Sequence, residues 1–157
     1  MLGFLRQTRS SQLEDLRALS LFADLSVREL KIVQGVLHER EYLAGEVIFD
    51  EGEQGYALYI VRTGRVLICR QGRPESAIAE LGPGSFFGEL ALLDSAPRAA
   101  QARTLEPCKL AVFFGSDFLA LLETEAKLSN KILLRFARHL GTRLRGTVVG
   151  QSTEQHL

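Results

Sequence analysis

A chain of 157 residues with 46% apolar content supports one domain, residues 1–157, with a core of ordinary density. Its 19 basic and 19 acidic side chains cancel to a formal charge of zero, which removes the broad electrostatic signature of a nucleic-acid-binding protein. No stretch approaches the roughly 20 apolar residues of a membrane span, and Met1–Arg9 lacks the apolar run of a secretory signal, so a cytoplasmic location is expected.

Residues 11–37 read as helical. Leu13, Leu16 and Leu19 recur on one face, and a break follows at Leu21-Phe22-Ala23-Asp24. Ser26 then caps a second helix, and Glu29, three residues on, completes a capping box ahead of the buried stripe Leu30, Val33 and Leu37. From Glu41 the pattern changes to short β-branched and aromatic runs closed by glycine: Val47–Phe49, Ala57–Arg62, Arg65–Arg70 and Ser76–Leu81. Thr63-Gly64 reads as a hairpin turn, and Ala44-Gly45 and Glu51-Gly52 as further turns. The intervals are too short for helical crossovers, so the strands of the 41–114 region must be antiparallel, in a barrel or sandwich.

A glycine-rich interruption spans Gly82–Gly88, and two more apolar runs follow, Ala99–Leu105 and Cys108–Phe114. Ser116 caps a short helix through Leu122. A longer helix starts at Thr124 with Leu128, Ile132, Leu133, Phe136 and Leu140 on one side, of which Leu133, Phe136 and Leu140 are either ordinary core or the seam of a dimer. Helical structure is expected over residues 116–147, with a frayed tail over 148–157. This helix carries Lys127, Lys131, Arg135, Arg138, Arg143 and Arg145 with no acidic residue between Ala126 and Gly150. Cys69 and Cys108 stand alone inside apolar runs and read as free buried thiols. His38, His139 and His156 are far apart and show no metal-ligand spacing, and no nucleophile motif or phosphate-binding Walker loop is present, so neither a metal site nor an enzyme is expected.

The chemistry is concentrated in residues 84–102, GSFFGELALLDSAPRAAQA. Gly88 opens a short helical turn whose backbone N–H groups, at Glu89, Leu90 and Ala91, can converge on an anion such as a phosphate. Arg98 returns across a turn marked by Asp94, Ser95 and Pro97 and supplies a guanidinium to the same anion. A carboxylate at Glu89 is out of place beside an anion unless it accepts a hydrogen bond, for which a sugar hydroxyl is the natural donor. Leu90, Leu92 and Leu93 are expected to anchor this turn to the barrel. Together the residues describe a ribose joined to a phosphate.

The string FGELALLDSAPRAA closely resembles the phosphate-binding cassette of the cyclic-nucleotide-binding domain family, which includes catabolite activator protein, the regulatory subunits of cyclic-AMP-dependent protein kinase and cyclic-nucleotide-gated channels. The likeness extends from about Leu21 to Leu144, and the glycines at 45, 52, 64 and 84 fall where the family's turns lie. The resemblance implies an antiparallel jelly-roll barrel with N-terminal and closing helices. It implies a site in which Glu89 takes the ribose 2′-hydroxyl, Arg98 the cyclic phosphate, and the backbone of Gly88–Ala91 closes a nest, with Phe87, Pro97, Ala99 and Ala100 around it. Ala99 occupies a position where cyclic-GMP-selective members usually carry threonine, so cyclic AMP is the expected ligand and cyclic GMP the less favoured one. The family's base lid comes from the closing helix, where Arg135, Arg138, His139 and Thr142 are the candidates. The implied function is a non-catalytic cyclic-AMP sensor that repositions its C-terminal helix toward an effector protein or a second copy. The alternatives are a structural or interaction domain that keeps the fold without the ligand, and a truncated transcription regulator.

Overall fold

The computed structural model describes residues 11–154, with side chains through Thr147; the expectations made for Met1–Arg9 and for residues 155–157 lie outside the described residues. Helix α1 covers residues 11–17 and α2 covers Val27–Val36, with a 3₁₀ turn at Ser20–Phe22 between them. The capping box is formed as expected: Glu29 N–H donates to Ser26 Oγ at 3.2 Å, and Ser26 N–H donates to Glu29 Oε1 at 2.9 Å.

Eight strands follow: β1 His38–Tyr42, β2 Val47–Phe49, β3 Ala57–Thr63, β4 Val66–Arg70, β5 Arg73–Leu81, β6 Phe86–Phe87, β7 Gln101–Thr104 and β8 Cys108–Phe114. They form two antiparallel four-stranded sheets, in the orders β1-β8-β3-β6 and β2-β7-β4-β5. Strand alternation divides the core in two. On β3, Leu58 and Ile60 face the helices and pack with Phe22, Leu30, Val33, Phe118, Leu128 and Ile132, whereas Val61 faces inward with Phe49, Val66, Phe87, Ala102 and Leu110. The outer cluster fastens the helices to one sheet, and the inner cluster fills one end of the barrel.

Thr63-Gly64 is not a hairpin turn, because β3 and β4 belong to different sheets and pair with β6 and β8, and with β5 and β7, respectively. It is a corner. Gly64 sits at φ +88, where a Cβ would come within 2.4 Å of the Pro107 carbonyl oxygen and 2.6 Å of Cys108 Sγ, so the β3–β4 and β7–β8 crossings are pressed together. The sequence missed the hairpin that does form, β4–β5, which turns at Gln71-Gly72 with Gly72 at φ +69. It also missed β6, because two residues are too short for a periodic signal. Strand β7 starts two residues later than expected, since Ala99 and Ala100 still belong to the loop leaving the cassette.

Helix α3 runs Gly115–Thr124, and the long helix α4 runs Ala126–Glu154, past the end expected at residue 147. Ser116 does not cap α3: the flanking residue is Phe114, no side-chain cap bond forms, and Gly115 N–H donates instead to the Tyr56 carbonyl at 2.9 Å. Phe136 is buried in the cluster beneath the helices, and Leu133 and Leu140 are partly buried and pack against that cluster. No described helix is long and apolar enough to cross a membrane. Cys69 and Cys108 are buried free thiols, and burial pushes both thiols up from their ordinary pKa.

The first half of α4 is tied to the N-terminal helices by charge as well as by apolar contact. Arg135 donates to both carboxylate oxygens of Asp24, at 2.7 and 2.8 Å, and Lys131 donates to Glu29 Oε1 at 2.6 Å. Burial pushes the Glu29 carboxyl up, but hydrogen bonds from Lys131 and Ser26 outweigh it and hold it below its ordinary 4.5. A folded-state pKa below the unfolded one contributes stability that is complete above 4.5 and lost as the pH falls through the depressed folded value. Glu29→Gln keeps the cap geometry and removes the charge. It should destabilise the protein by about 1 kcal/mol at neutral pH, and urea unfolding repeated at descending pH should show the difference from wild type shrinking below pH 4.5.

Candidate functional site

The cassette leaves β6 through Gly88, which adopts φ +71, a left-handed conformation that turns the chain sharply into the 3₁₀ turn Glu89–Leu92. The Ala91 N–H closes that turn on the Gly88 carbonyl at 3.3 Å, so only Glu89 and Leu90 are left as the turn's opening donors, one fewer than the sequence reading counted. Ala91 and Leu92 are buried beneath it, whereas Leu90 and Leu93 are 50% and 53% exposed. The anchoring expected of three leucines therefore rests on Leu92 with Ala91, because a 3₁₀ turn presents one narrow face to the barrel and the residues on either side project outward. Ser95 at φ 52 and an Asp94 carboxylate accepting from the Ala96 N–H shape the return of the chain toward Arg98.

Segment 52–55 fixes where that return ends. Gly52 N–H donates to the Arg98 carbonyl at 2.8 Å, and Arg98 N–H donates to the Glu53 carbonyl at 2.7 Å. Gly55 permits the approach, since a Cβ there would stand 2.7 Å from the Ala91 Cβ and 3.3 Å from the Arg98 guanidinium carbon.

The Arg98 side chain is only 8% exposed. Its guanidinium donates to the Ala57 carbonyl at 2.8 Å and the Gly88 carbonyl at 3.0 Å, and lies 4.1 Å from the centre of the Phe49 ring. Neither contact neutralises the charge, Nε has no partner, and among the described residues no carboxylate pairs with it. Burial accordingly pulls its pKa down, with Glu89 among the weaker opposing influences. A desolvated cation without a counter-ion is costly unless an anion completes it.

The guanidinium opens onto a cavity of about 390 Å³, a size suited to one small organic ligand. The nine residues expected around the ligand, Phe87, Gly88, Glu89, Leu90, Ala91, Pro97, Arg98, Ala99 and Ala100, all line it. Glu89, 3% exposed, is on the same cavity as Arg98 but is not bonded to it. Its carboxylate accepts instead from Arg143 on α4 at 2.5 Å.

Of the four lid candidates, His139 alone reaches the cavity, with its ring centre 4.4 Å from that of Phe86. Arg135 lies one turn too early and is held by Asp24, and Thr142 donates to the Arg138 carbonyl within its own helix. Arg138 and Thr142 sit on helix faces adjacent to the one that carries His139 and Arg143, four residues apart. Sequence reasoning placed Arg143 only in a general basic run; the signal that could have selected it is its i+4 spacing from His139.

These features define a jelly-roll domain with a cavity that brings together a buried guanidinium lacking a carboxylate partner among the described residues and a buried carboxylate paired with the closing helix. The family pattern for the cyclic nucleotide-binding domain matches residues 39–125. The cyclic AMP receptor protein of Thermus thermophilus is 36% identical over 122 residues, covering 76% of this chain and 56% of the relative. A cyclic nucleotide-binding domain from Methylobacillus flagellatus superposes with a TM-score of 0.77 at 25% identity, over 87% of this chain and 80% of that one. The regulatory domain of Toxoplasma gondii PKA, solved with cAMP, gives 0.62 at 35% identity, over 70% and 44%. The chain belongs to the cyclic nucleotide-binding domain family. It spans between 23% and 56% of the length of the first three curated relatives it matches.

Gly88→Ala tests the geometry without changing any charge. A Cβ at this position would stand 2.6 Å from Arg98 Nη1, and the φ of +71 disfavours any side chain. The variant should lose at least about 1–2 kcal/mol of stability, from the left-handed backbone alone, measured by thermal unfolding.

Proposed function

We propose that this domain is a non-catalytic cyclic-AMP receptor whose output is the position of helix α4. The observation that carries the reading is the buried Arg98 guanidinium, which has no carboxylate partner among the described residues and opens onto a nucleotide-sized cavity. A cyclic phosphate carries one negative charge and matches the planar donor fork. Glu89 then accepts the ribose 2′-hydroxyl, and the open N–H groups of Glu89 and Leu90 meet a phosphate oxygen. Ala99 lines the cavity without a hydroxyl to offer guanine, which supports cyclic AMP over cyclic GMP. A domain that kept the fold for structural reasons alone would have no use for a desolvated, unpaired cation, so the ligand-free alternative is the weaker one.

The helix enters the same account through Arg143 and His139. The carboxylate meant for the sugar is engaged by Arg143, and His139 packs on Phe86 of β6, so α4 touches the site at two points one turn apart. A ligand must bind unequally to the alternative helix positions if it is to shift them, and sharing Glu89 with Arg143 provides that inequality.

Calorimetry with cyclic AMP should show Arg98→Ala weakened by about 2–5 kcal/mol, roughly thirty-fold or more, with no recovery in Arg98→Lys, which lacks the fork. Unchanged affinity in both would remove the assignment. Amide hydrogen exchange over residues 139–147 should be faster in Arg143→Ala than in wild type and should respond less to cyclic AMP. An identical ligand response in the two proteins would rule out this route from site to helix.

A further inference from the structure

Helix α4 carries a second stripe that faces neither the core nor the cavity. Asn130, Leu134, Ala137, Gly141 and Leu144 recur at alternating spacings of four and three, the d and a positions of a heptad, along about 21 Å of helix at 1.5 Å per residue. Leu134 and Leu144 are 50% and 67% exposed, and Asn130 and Ala137 are exposed with them. A Cβ at Gly141 would meet nothing nearer than Arg145 Nη1 at 3.9 Å, so the stripe is a shallow trough between two leucines.

The charge beside this trough has one sign. Its e positions are Lys131, Arg138 and Arg145, and Lys127 occupies the a position that precedes it. The acidic groups that meet α4 are taken by other cations or by Lys131: Asp24 by Arg135, Glu89 by Arg143 and Glu29 by Lys131. Among the described residues no carboxylate pairs with Lys127, Arg138 or Arg145. The g positions offer no charge in return, because Leu133 and Leu140 pack against the domain's own core. A second copy is therefore a poor occupant in either direction. Parallel pairing would set Lys127 against the same residue of its partner across the seam, and antiparallel pairing would set the e-position cations against one another. An anionic bilayer fits less well too, since small Ala137 and Gly141 stand where an interfacial helix presents a continuous bulky apolar face.

We infer that the outer face of α4 is a docking seam for an amphipathic helix of another protein, one whose flanking positions are acidic. Apolar side chains of that helix fill the trough between Leu134 and Leu144, and its carboxylates meet Arg138 and Arg145. A uniformly cationic flank attracts such a helix and repels its own copy, which gives specificity by both routes. None of these residues lines the cavity, so the inference stands or falls independently of the ligand.

The test uses the intact chain and a labelled three-heptad peptide with leucine at a and d and glutamate at e and g, whose own charge opposes its self-pairing at neutral pH. Fluorescence anisotropy should show saturable binding, weakened at least about tenfold in the double variant Arg138→Glu, Arg145→Glu and restored there by a peptide with lysine in place of glutamate. The double variant Leu134→Asn, Leu144→Asn keeps the net charge and should weaken the acidic peptide by a similar factor. Unchanged affinity in that variant would reduce the attraction to general electrostatics and overturn the seam. Failure of the wild-type chain to bind the acidic peptide, or equal binding of the acidic and basic peptides, would overturn the inference outright. Sedimentation equilibrium of the chain alone should report a monomer. A dimer dissociated by the paired leucine substitutions would make a second copy the occupant, and capture by phosphatidylserine vesicles without peptide binding would make it a lipid surface; either result overturns the assignment.

Discussion

A positive charge held out of water with only two carbonyl oxygens and an aromatic face for company is the feature around which this domain is arranged. The Arg98 guanidinium is held from several sides: by β3 through the Ala57 carbonyl, by the cassette through Gly88, and by the Phe49 ring of β2. Each contact orients the fork without neutralising it. Much of the surrounding structure supplies the close approaches this requires. Gly55 and Gly88 are glycines because the guanidinium and Ala91 occupy the space a side chain would need, and the backbone of residues 52–55 clasps that of Arg98 in both directions. The energetic tension is local, and the two apolar clusters elsewhere in the barrel supply the stability that tolerates it.

The second charged group of the site is arranged on the opposite principle. Glu89 is as deeply buried as Arg98, yet it has a partner, and that partner belongs to a helix outside the barrel. The unpaired group is held by the barrel and the paired one bridges to α4, so two residues of one short segment meet opposite electrostatic conditions.

Much of this was legible from the residues alone, for identifiable reasons. The capping box at Ser26 and Glu29 is a local motif with its own hydrogen bonds, and it appears where expected. The cassette is likewise contiguous, so the nine residues it was expected to contribute all face one cavity. Failures occurred where the answer depends on distant parts of the chain. Thr63-Gly64 has the sequence of a hairpin and becomes a corner because its strands find different partners far along the chain. Leu90 and Leu93 look like anchors by composition, but the geometry of a 3₁₀ turn leaves both outside. Arg143 was passed over as a site residue because α4 is basic on several faces, and its i+4 spacing from His139 becomes informative only once His139 is known to face the cavity and a carboxylate more than fifty positions earlier is known to meet it.

The ion pairs at the start of α4 have a mechanical meaning. Asp24–Arg135 and Glu29–Lys131 tie the helix near its start, while Leu128, Ile132 and Phe136 are sunk in the core, so any tilt of the outer part would pivot close to Phe136. From there to Glu154 the axis extends about 27 Å at 1.5 Å per residue. A tilt of about 10° at such a pivot, too slight to unpack a well-filled core, carries the far end sideways by about 5 Å, roughly the separation between two neighbouring strands of a sheet. Arg143 sits near mid-arm, so for any such tilt a displacement of an ångström or two at the Glu89 contact corresponds to one more than twice as large at residue 154.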